Sequence, residues 1–318
     1  MSFADDQQLC DLSARFGDLR GVSFTRYGEL LTVNIRNRQA VAQILLQGAQ
    51  VFQFQRHGEQ PILWQSIRSD FKAGVPCRGG IPICWPWFGD MARNSIGVQD
   101  MVQTSDAEAP LHGLVRQRHW QLANIEGIGE SVTRVTLRLD LDLDTEPLWP
   151  YACGLTMSIE IGETLKAALT VVNNDQRPLT FSGALHSYLA VSDIAAVSLE
   201  GLDGFSYFDA TQGRVARTQV GAITVNGEID RIYQQVPSEC QLIDSPWGRS
   251  LRLLSEGSES SVIWNPGKGI ARRMLDMDDT GYQSMLCIET ANVGDDYITL
   301  QSGGIHTLSV LIEPASYA

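Results

Sequence analysis

Apolar and polar residues alternate with a period of two along much of this chain. In Val135-Thr136-Leu137-Arg138-Leu139-Asp140-Leu141-Asp142-Leu143 every odd position is apolar and every even one polar, which predicts a strand with one buried face, because successive side chains leave a strand on opposite sides. Shorter β-rich segments recur at 31–36, 40–46, 51–55, 155–161, 167–172, 261–264 and 307–312. Turn formers lie between the segments, at Asn173-Asn174, Asn226-Gly227, Glu256-Gly257 and Gly303-Gly304, where the chain is expected to reverse. The only helical pattern is at 7–16, with Asp5 or Asp6 as a cap. No composition break, Pro/Ser-rich linker or fixed-period repeat interrupts the series. The pattern therefore predicts an all-β chain, a large antiparallel β-sandwich forming one domain over 1–318, whose curved double sheet offers a concave face to a ligand.

One segment departs from the alternation. Arg78-Gly79-Gly80-Ile81-Pro82-Ile83-Cys84-Trp85-Pro86-Trp87-Phe88-Gly89 combines an arginine, three glycines, two prolines and three large aromatics. Prolines remove backbone donors and fix φ while glycines permit close approach, so a rigid irregular loop is expected there. A guanidinium beside flat apolar rings suits a sugar that carries an anionic group: rings cover the C–H face of a pyranose, and the guanidinium grips phosphate or carboxylate. The competing reading makes Trp85, Trp87 and Phe88 a core corner.

Composition narrows the class of partner. With 43% hydrophobic and 19% charged residues, the chain has the profile of a folded soluble protein. Its net charge of −13 is spread along the sequence and opposes nucleic acid and anionic membrane surfaces, although a few converging arginines still suffice for a small phosphate. The first eight residues hold no basic stretch ahead of an apolar run, so no secretory signal is expected. No apolar run reaches membrane-spanning length. Six cysteines at 10, 77, 84, 153, 240 and 287 show neither CxxC pairing nor zinc spacing, and read as reduced thiols of a cytoplasmic protein.

Four residues stand out as candidates for chemistry. His112, in Pro110-Leu111-His112-Gly113, and His186, in Ala184-Leu185-His186-Ser187, both follow apolar residues and neighbour small ones, a setting for a partly desolvated imidazole that transfers protons near neutral pH. Such histidines also serve as satisfied core residues. Glu289 follows an apolar run in Met285-Leu286-Cys287-Ile288-Glu289, where burial raises a carboxyl toward general-base strength; the alternative is an outward-facing strand end. Asp230, in Ile229-Asp230-Arg231, is placed to orient a histidine or bind a hydroxyl, or else to pair with Arg231. Trp264-Asn265-Pro266-Gly267 repeats the aromatic loop in miniature, with Trp264 able to stack. No HxH, HxxxH, GxSxG, GxGxxG or P-loop motif occurs, so neither a metal nor a cofactor is called for. What is left is acid–base chemistry on a small polar molecule.

In order, RGGIPICWPWFG, LHGLVR, LHSYL, EIDRIY, IWNPG and CIETANV resemble the hexose-6-phosphate mutarotases (glucose-6-phosphate 1-epimerases) of the aldose 1-epimerase superfamily. The likeness runs from about Val22 to Pro314, leaving a short amino-terminal extension at about 1–21, and its specificity lies in the ordered set. It implies a galactose mutarotase-like supersandwich and a cofactor-free isomerase that interconverts the α and β anomers of a hexose 6-phosphate, with D-glucose 6-phosphate expected. By motif position Glu289 would be the base that takes the anomeric hydroxyl proton and His186 the acid that protonates the ring oxygen. His112 would bind the sugar near that oxygen, Asp230 a hydroxyl, and Arg78 and Arg116 the 6-phosphate, while Trp85 and Trp264 would be free to stack on the ring. Trp85 and Trp87 are bulkier than the resemblance leads one to expect, which would narrow the pocket. A monomer is expected. Two other readings stay open: a free-aldose mutarotase, which differs in substrate alone, and a non-catalytic phosphosugar-binding sandwich, which would not need a matched acid and base.

Overall fold

The computed structural model describes residues 3–103, 109–129 and 131–317. Among them the strands form two eight-stranded sheets, a four-stranded sheet and a two-stranded ribbon. The four-stranded sheet is a meander of Val22–Tyr27, Leu30–Arg36, Ala40–Leu45 and Gln50–Arg56. One eight-stranded sheet runs Val197–Glu200, Glu239–Asp244, Arg249–Glu256, Ile305–Ser316, Leu165–Asn173, Cys153–Ile161, Val132–Leu141, Gln121–Ile128. In Cys153–Ile161 and Leu165–Asn173 buried and half-buried positions alternate without a break, as a strand with one face on the core requires.

The second eight-stranded sheet carries the site. Its order is Val215–Thr218, Ser206–Asp209, Ile229–Gln234, Ser260–Asn265, Met285–Asn292, Gly183–Leu185, Ile83–Cys84, and Tyr188–Ala190 also pairs with Met285–Asn292. Every residue of Met285–Asn292 is buried, so both faces of this central strand are covered. Leu286 and Ile288 join the main core, which extends from Phe16 to Ile312. Cys287 and Ala291 point the other way, into separate small clusters.

Three local expectations change. The alternation at 135–143 outruns its strand, which ends at Leu141. The Asp142 carboxylate accepts from the amide and hydroxyl of Thr145, both at 2.9 Å, and this turn leaves Leu143 63% exposed. The helix begins at Phe3 and ends at Phe16, so Asp5 and Asp6 fall inside it instead of ahead of it; their side chains lie outside the described residues. The segment 78–89 is irregular as expected, but Ile83–Cys84 enters the second sheet beside Gly183–Leu185. A Cβ on Gly80, at φ 63°, would sit 2.2 Å from the Val51 carbonyl oxygen. Glycine is needed there for backbone packing.

Candidate active site

The sheet register assembles the site. Ile232 pairs with Val262 and Val262 with Glu289. On the neighbouring edge Leu185 lies opposite Thr290 and Tyr188 opposite Cys287, so the two-residue gap between the short strands places His186 opposite Glu289. Two positions along, a second row reads Asp230, Trp264, Cys287, Tyr188. Period two puts both rows on the face away from Leu286 and Ile288. All residues of these two rows except Cys287 line one cavity of about 800 Å³, within the usual range for a small-molecule site.

His186 Nδ1 is 3.5 Å from Glu289 Oε1, just beyond hydrogen-bond length. Among the described residues neither His186 Nδ1 nor Glu289 Oε2 has a hydrogen-bond partner, although Glu289 is 1% exposed. Two unsatisfied buried polar atoms facing a cavity are costly for folding and are expected where a ligand completes them.

The loop carrying His112 and Arg116 is locked to the aromatic segment. Leu114 N–H donates to the Trp85 carbonyl at 2.8 Å and His112 N–H to that of Gly89 at 2.8 Å. Gly113, at φ 78°, brings its Cα so close that a Cβ would lie 2.0 Å from the Trp85 oxygen. His112 itself is left-handed, at φ 63°, a strained position for a non-glycine residue. Gly89 N–H donates to His112 Nδ1 at 3.2 Å, so a neutral ring carries its proton on Nε2. Arg116 donates from Nη2 to the Leu111 carbonyl at 2.5 Å and forms no ion pair among the described residues. Arg78 has its Nε 2.8 Å from Asp276 Oδ2, charge-paired but not aligned as a hydrogen bond, and donates from Nη1 to Tyr188 Oη at 3.0 Å. Both arginines line the cavity.

Electrostatics keeps the centre neutral. Burial, followed by the charge of Asp230, raises the Glu289 pKa well above the carboxylate range. Burial also lowers His186 well below the usual imidazole value, with His112, Arg78 and Arg116 acting in the same direction. His112 falls to about 3 through burial, Arg116 and Arg78, so it faces a ligand as a neutral donor. Asp230 is raised to about 6 by burial and Glu228. Burial thus favours the forms in which Glu289 holds its proton and His186 is neutral. A carboxylate beside an imidazolium would contain the same number of protons.

The structure thus brings Arg78, His112, Arg116, His186, Asp230, Trp264 and Glu289 to one cavity. It does not bring Trp85 there. Trp85 is 1% exposed, packed against Trp149 at 5.3 Å and Phe181 at 5.7 Å between ring centroids, and so unavailable for stacking on a sugar. Trp87 is equally buried, so neither tryptophan narrows the pocket; of the three aromatics in that segment only Phe88 lines it. Sequence reasoning passed over Tyr188 and Asp276. Tyr188 was findable, two residues after His186, where the period-two alternation of the flanking strands points both side chains to one side. Asp276 comes from a loop and carries no periodic signal.

The chain belongs to the aldose 1-epimerase family, which it matches over residues 31–313. It is 31% identical over 272 residues to a protein of Escherichia coli (strain K12) provisionally named glucose-6-phosphate 1-epimerase, a match covering 85% of this chain and 86% of that one. A Cenchrus ciliaris protein with the same provisional name is 30% identical, covering 84% and 79%. Among solved structures, a provisionally assigned mutarotase from Salmonella typhimurium superposes with a TM-score of 0.83 at 27% identity, over 93% of this chain and 94% of that one. A galactose mutarotase-like protein from Clostridium acetobutylicum, 15% identical, shares the fold at a TM-score of 0.72 over 93% and 98%.

Proposed function

We propose that this protein is a mutarotase that interconverts the α and β anomers of a hexose 6-phosphate, D-glucose 6-phosphate above all, by acid–base ring opening and reclosure. The observation that carries the reading is His186 facing Glu289 across a cavity that also holds Arg78 and Arg116. Glu289 takes the proton from the anomeric O1 hydroxyl while His186 gives one to the ring oxygen O5. The O1 electron pair becomes the aldehyde π bond as the C1–O5 bond breaks. Rotation about C1–C2 and reclosure on the other face, with both transfers reversed, give the opposite anomer. Each group contributes about 10²–10⁴-fold.

The phosphate does more than anchor. Arg78 and Arg116 depress the His186 pKa, and a dianion against them cancels part of that effect, moving the shared proton from Glu289 toward the imidazole. The 3.5 Å gap is that of an unliganded site, where catalytic contacts commonly run long. His112, donating from Nε2, supports the charge near O5, and Asp230 accepts from a ring hydroxyl. Trp264 forms a wall of the sugar site. Arg116, cationic without a carboxylate partner among the described residues, favours a phosphorylated hexose over a free one, since a half-buried cation gains most from an anionic ligand. The expected setting is a cytoplasmic, single-domain monomer, supported by six unpaired thiols and a core that runs almost end to end.

The test follows freshly released α-D-glucose 6-phosphate by a β-specific coupled oxidation, or the two anomers by NMR exchange, alongside unphosphorylated glucose and galactose. The protein should accelerate exchange of the phosphate ester most. An exchange rate equal to the spontaneous one overturns the reading in favour of a binding protein.

A further inference from the structure

We infer that Tyr188 is a positioning residue for this site, one whose ring fixes the acid His186 and whose hydroxyl orients Arg78, so that preference for a phosphorylated hexose depends on it. The inference rests on the substrate reading above. Tyr188 is the middle ring of a stack of three: Trp64 lies 5.9 Å away at 19° and His186 4.6 Å away at 8°. Trp64 is tied down by its Nε1, which donates to Ser284 Oγ at 2.9 Å. Trp264 closes the stack edge-on, at 86° to His186 and 79° to Tyr188. Held this way, the tyrosine ring has one direction in which to present its oxygen.

That oxygen meets Arg78. Burial holds the phenol far above its ordinary pKa, so it remains neutral and accepts the Nη1 hydrogen at 3.0 Å. On the other side of the guanidinium, Nε lies 2.8 Å from Asp276 Oδ2, and the Asp276 backbone is itself held by Ser66 Oγ, which donates to its carbonyl at 2.6 Å. With Nε held beside the Asp276 carboxylate and one Nη1 hydrogen committed to Tyr188, the Nη2 end of the fork is left to face a ligand. An arginine side chain otherwise spreads over many rotamers, and fixing it in advance removes that entropy cost from binding. Tyr188 therefore sets two elements at once, the ring plane of the acid and the heading of the cation.

The experiment compares Tyr188→Phe and Tyr188→Leu with wild type on glucose 6-phosphate and on free glucose. Phenylalanine keeps the stack and removes the anchor, so kcat/KM on the phosphate ester should fall about ten-fold, the scale of one hydrogen bond to a charged group, mainly through KM, with a much smaller loss on the free sugar. Leucine removes the ring and should lower kcat on both substrates. In an Arg78→Ala background Tyr188→Phe should add no further loss. Wild-type preference for the phosphate ester together with an unaltered Tyr188→Phe, equal losses on both substrates in that variant, or full additivity with Arg78→Ala overturns the role of Tyr188 alone. A wild-type enzyme without phosphate preference overturns the substrate reading and this inference with it.

Discussion

Replacing Glu289 by glutamine removes one proton-binding oxygen from a 1% exposed position while keeping the size and shape of the side chain. If Glu289 is the base, the variant cannot take the O1 proton, and mutarotation should slow by about 10²–10⁴-fold, or about 3–5 kcal/mol added to the barrier. Stability should move the other way. Burial raises the Glu289 pKa above its unfolded value, so the folded chain keeps a proton that the unfolded chain releases once pH passes the ordinary glutamate range. The stability contributed by this residue is complete below that range and declines as pH rises toward the folded value. Glutamine does not titrate and escapes the decline, so the variant should melt higher than wild type by a margin that grows between pH 5 and pH 8. The assays are NMR exchange of glucose 6-phosphate anomers and thermal melting across that pH range. A large loss of stability at neutral pH would make Glu289 a structural residue, and undiminished exchange would remove it from the chemistry; either result refutes the argument.

Other perturbations probe the rest of the cavity. Asp230, raised to about 6, loses its charge as pH falls through the assay range. KM in the wild type should therefore climb below about pH 6, whereas Asp230→Asn should show no such inflection in a steady-state pH series. Arg116→Ala removes a cation that lacks an ion-pair partner among the described residues and should raise KM for glucose 6-phosphate about 10–100-fold, with a much smaller effect on free glucose in parallel titrations. Trp85→Ala should cost about 3–5 kcal/mol in urea unfolding as a core truncation, leaving KM of the folded enzyme close to wild type. Gly113→Ala, whose Cβ would meet the Trp85 oxygen at 2.0 Å, should displace His112 and Arg116, cutting kcat/KM in protein that remains folded by circular dichroism.

Much of the architecture is legible in the one-dimensional pattern, because a half-buried antiparallel strand writes its environment into alternate residues. Leu165–Asn173 and Cys153–Ile161 obey the rule throughout. The rule weakens where strands are buried on both faces. Met285–Asn292 reads as an apolar run interrupted by Glu289, and nothing in that run tells which face the carboxyl takes; its side follows only from knowing that Leu286 and Ile288 go to the core. Trp85 shows the opposite limit. Its segment signals a rigid aromatic corner correctly, yet whether a ring fills the core or faces a ligand depends on partners such as Trp149 and Phe181, which lie 64 and 96 residues further along.

The proposed acid–base pair shows why the site is a property of register. His186 and Glu289 are distant in sequence, but Leu185 opposite Thr290 and Tyr188 opposite Cys287 place them opposite each other across the strand gap. A one-residue slip between these strands would turn Glu289 toward the core and Ile288 toward the cavity, at the cost of burying a carboxyl among apolar side chains and exposing an isoleucine. The hydrophobic pattern that makes Leu286 and Ile288 core residues thus also forces Glu289 to face His186. The unsatisfied oxygen and nitrogen of that pair are a local cost that the surrounding sheet sustains, and a sugar bearing both an O1 hydroxyl and an O5 acceptor is the kind of ligand that relieves it.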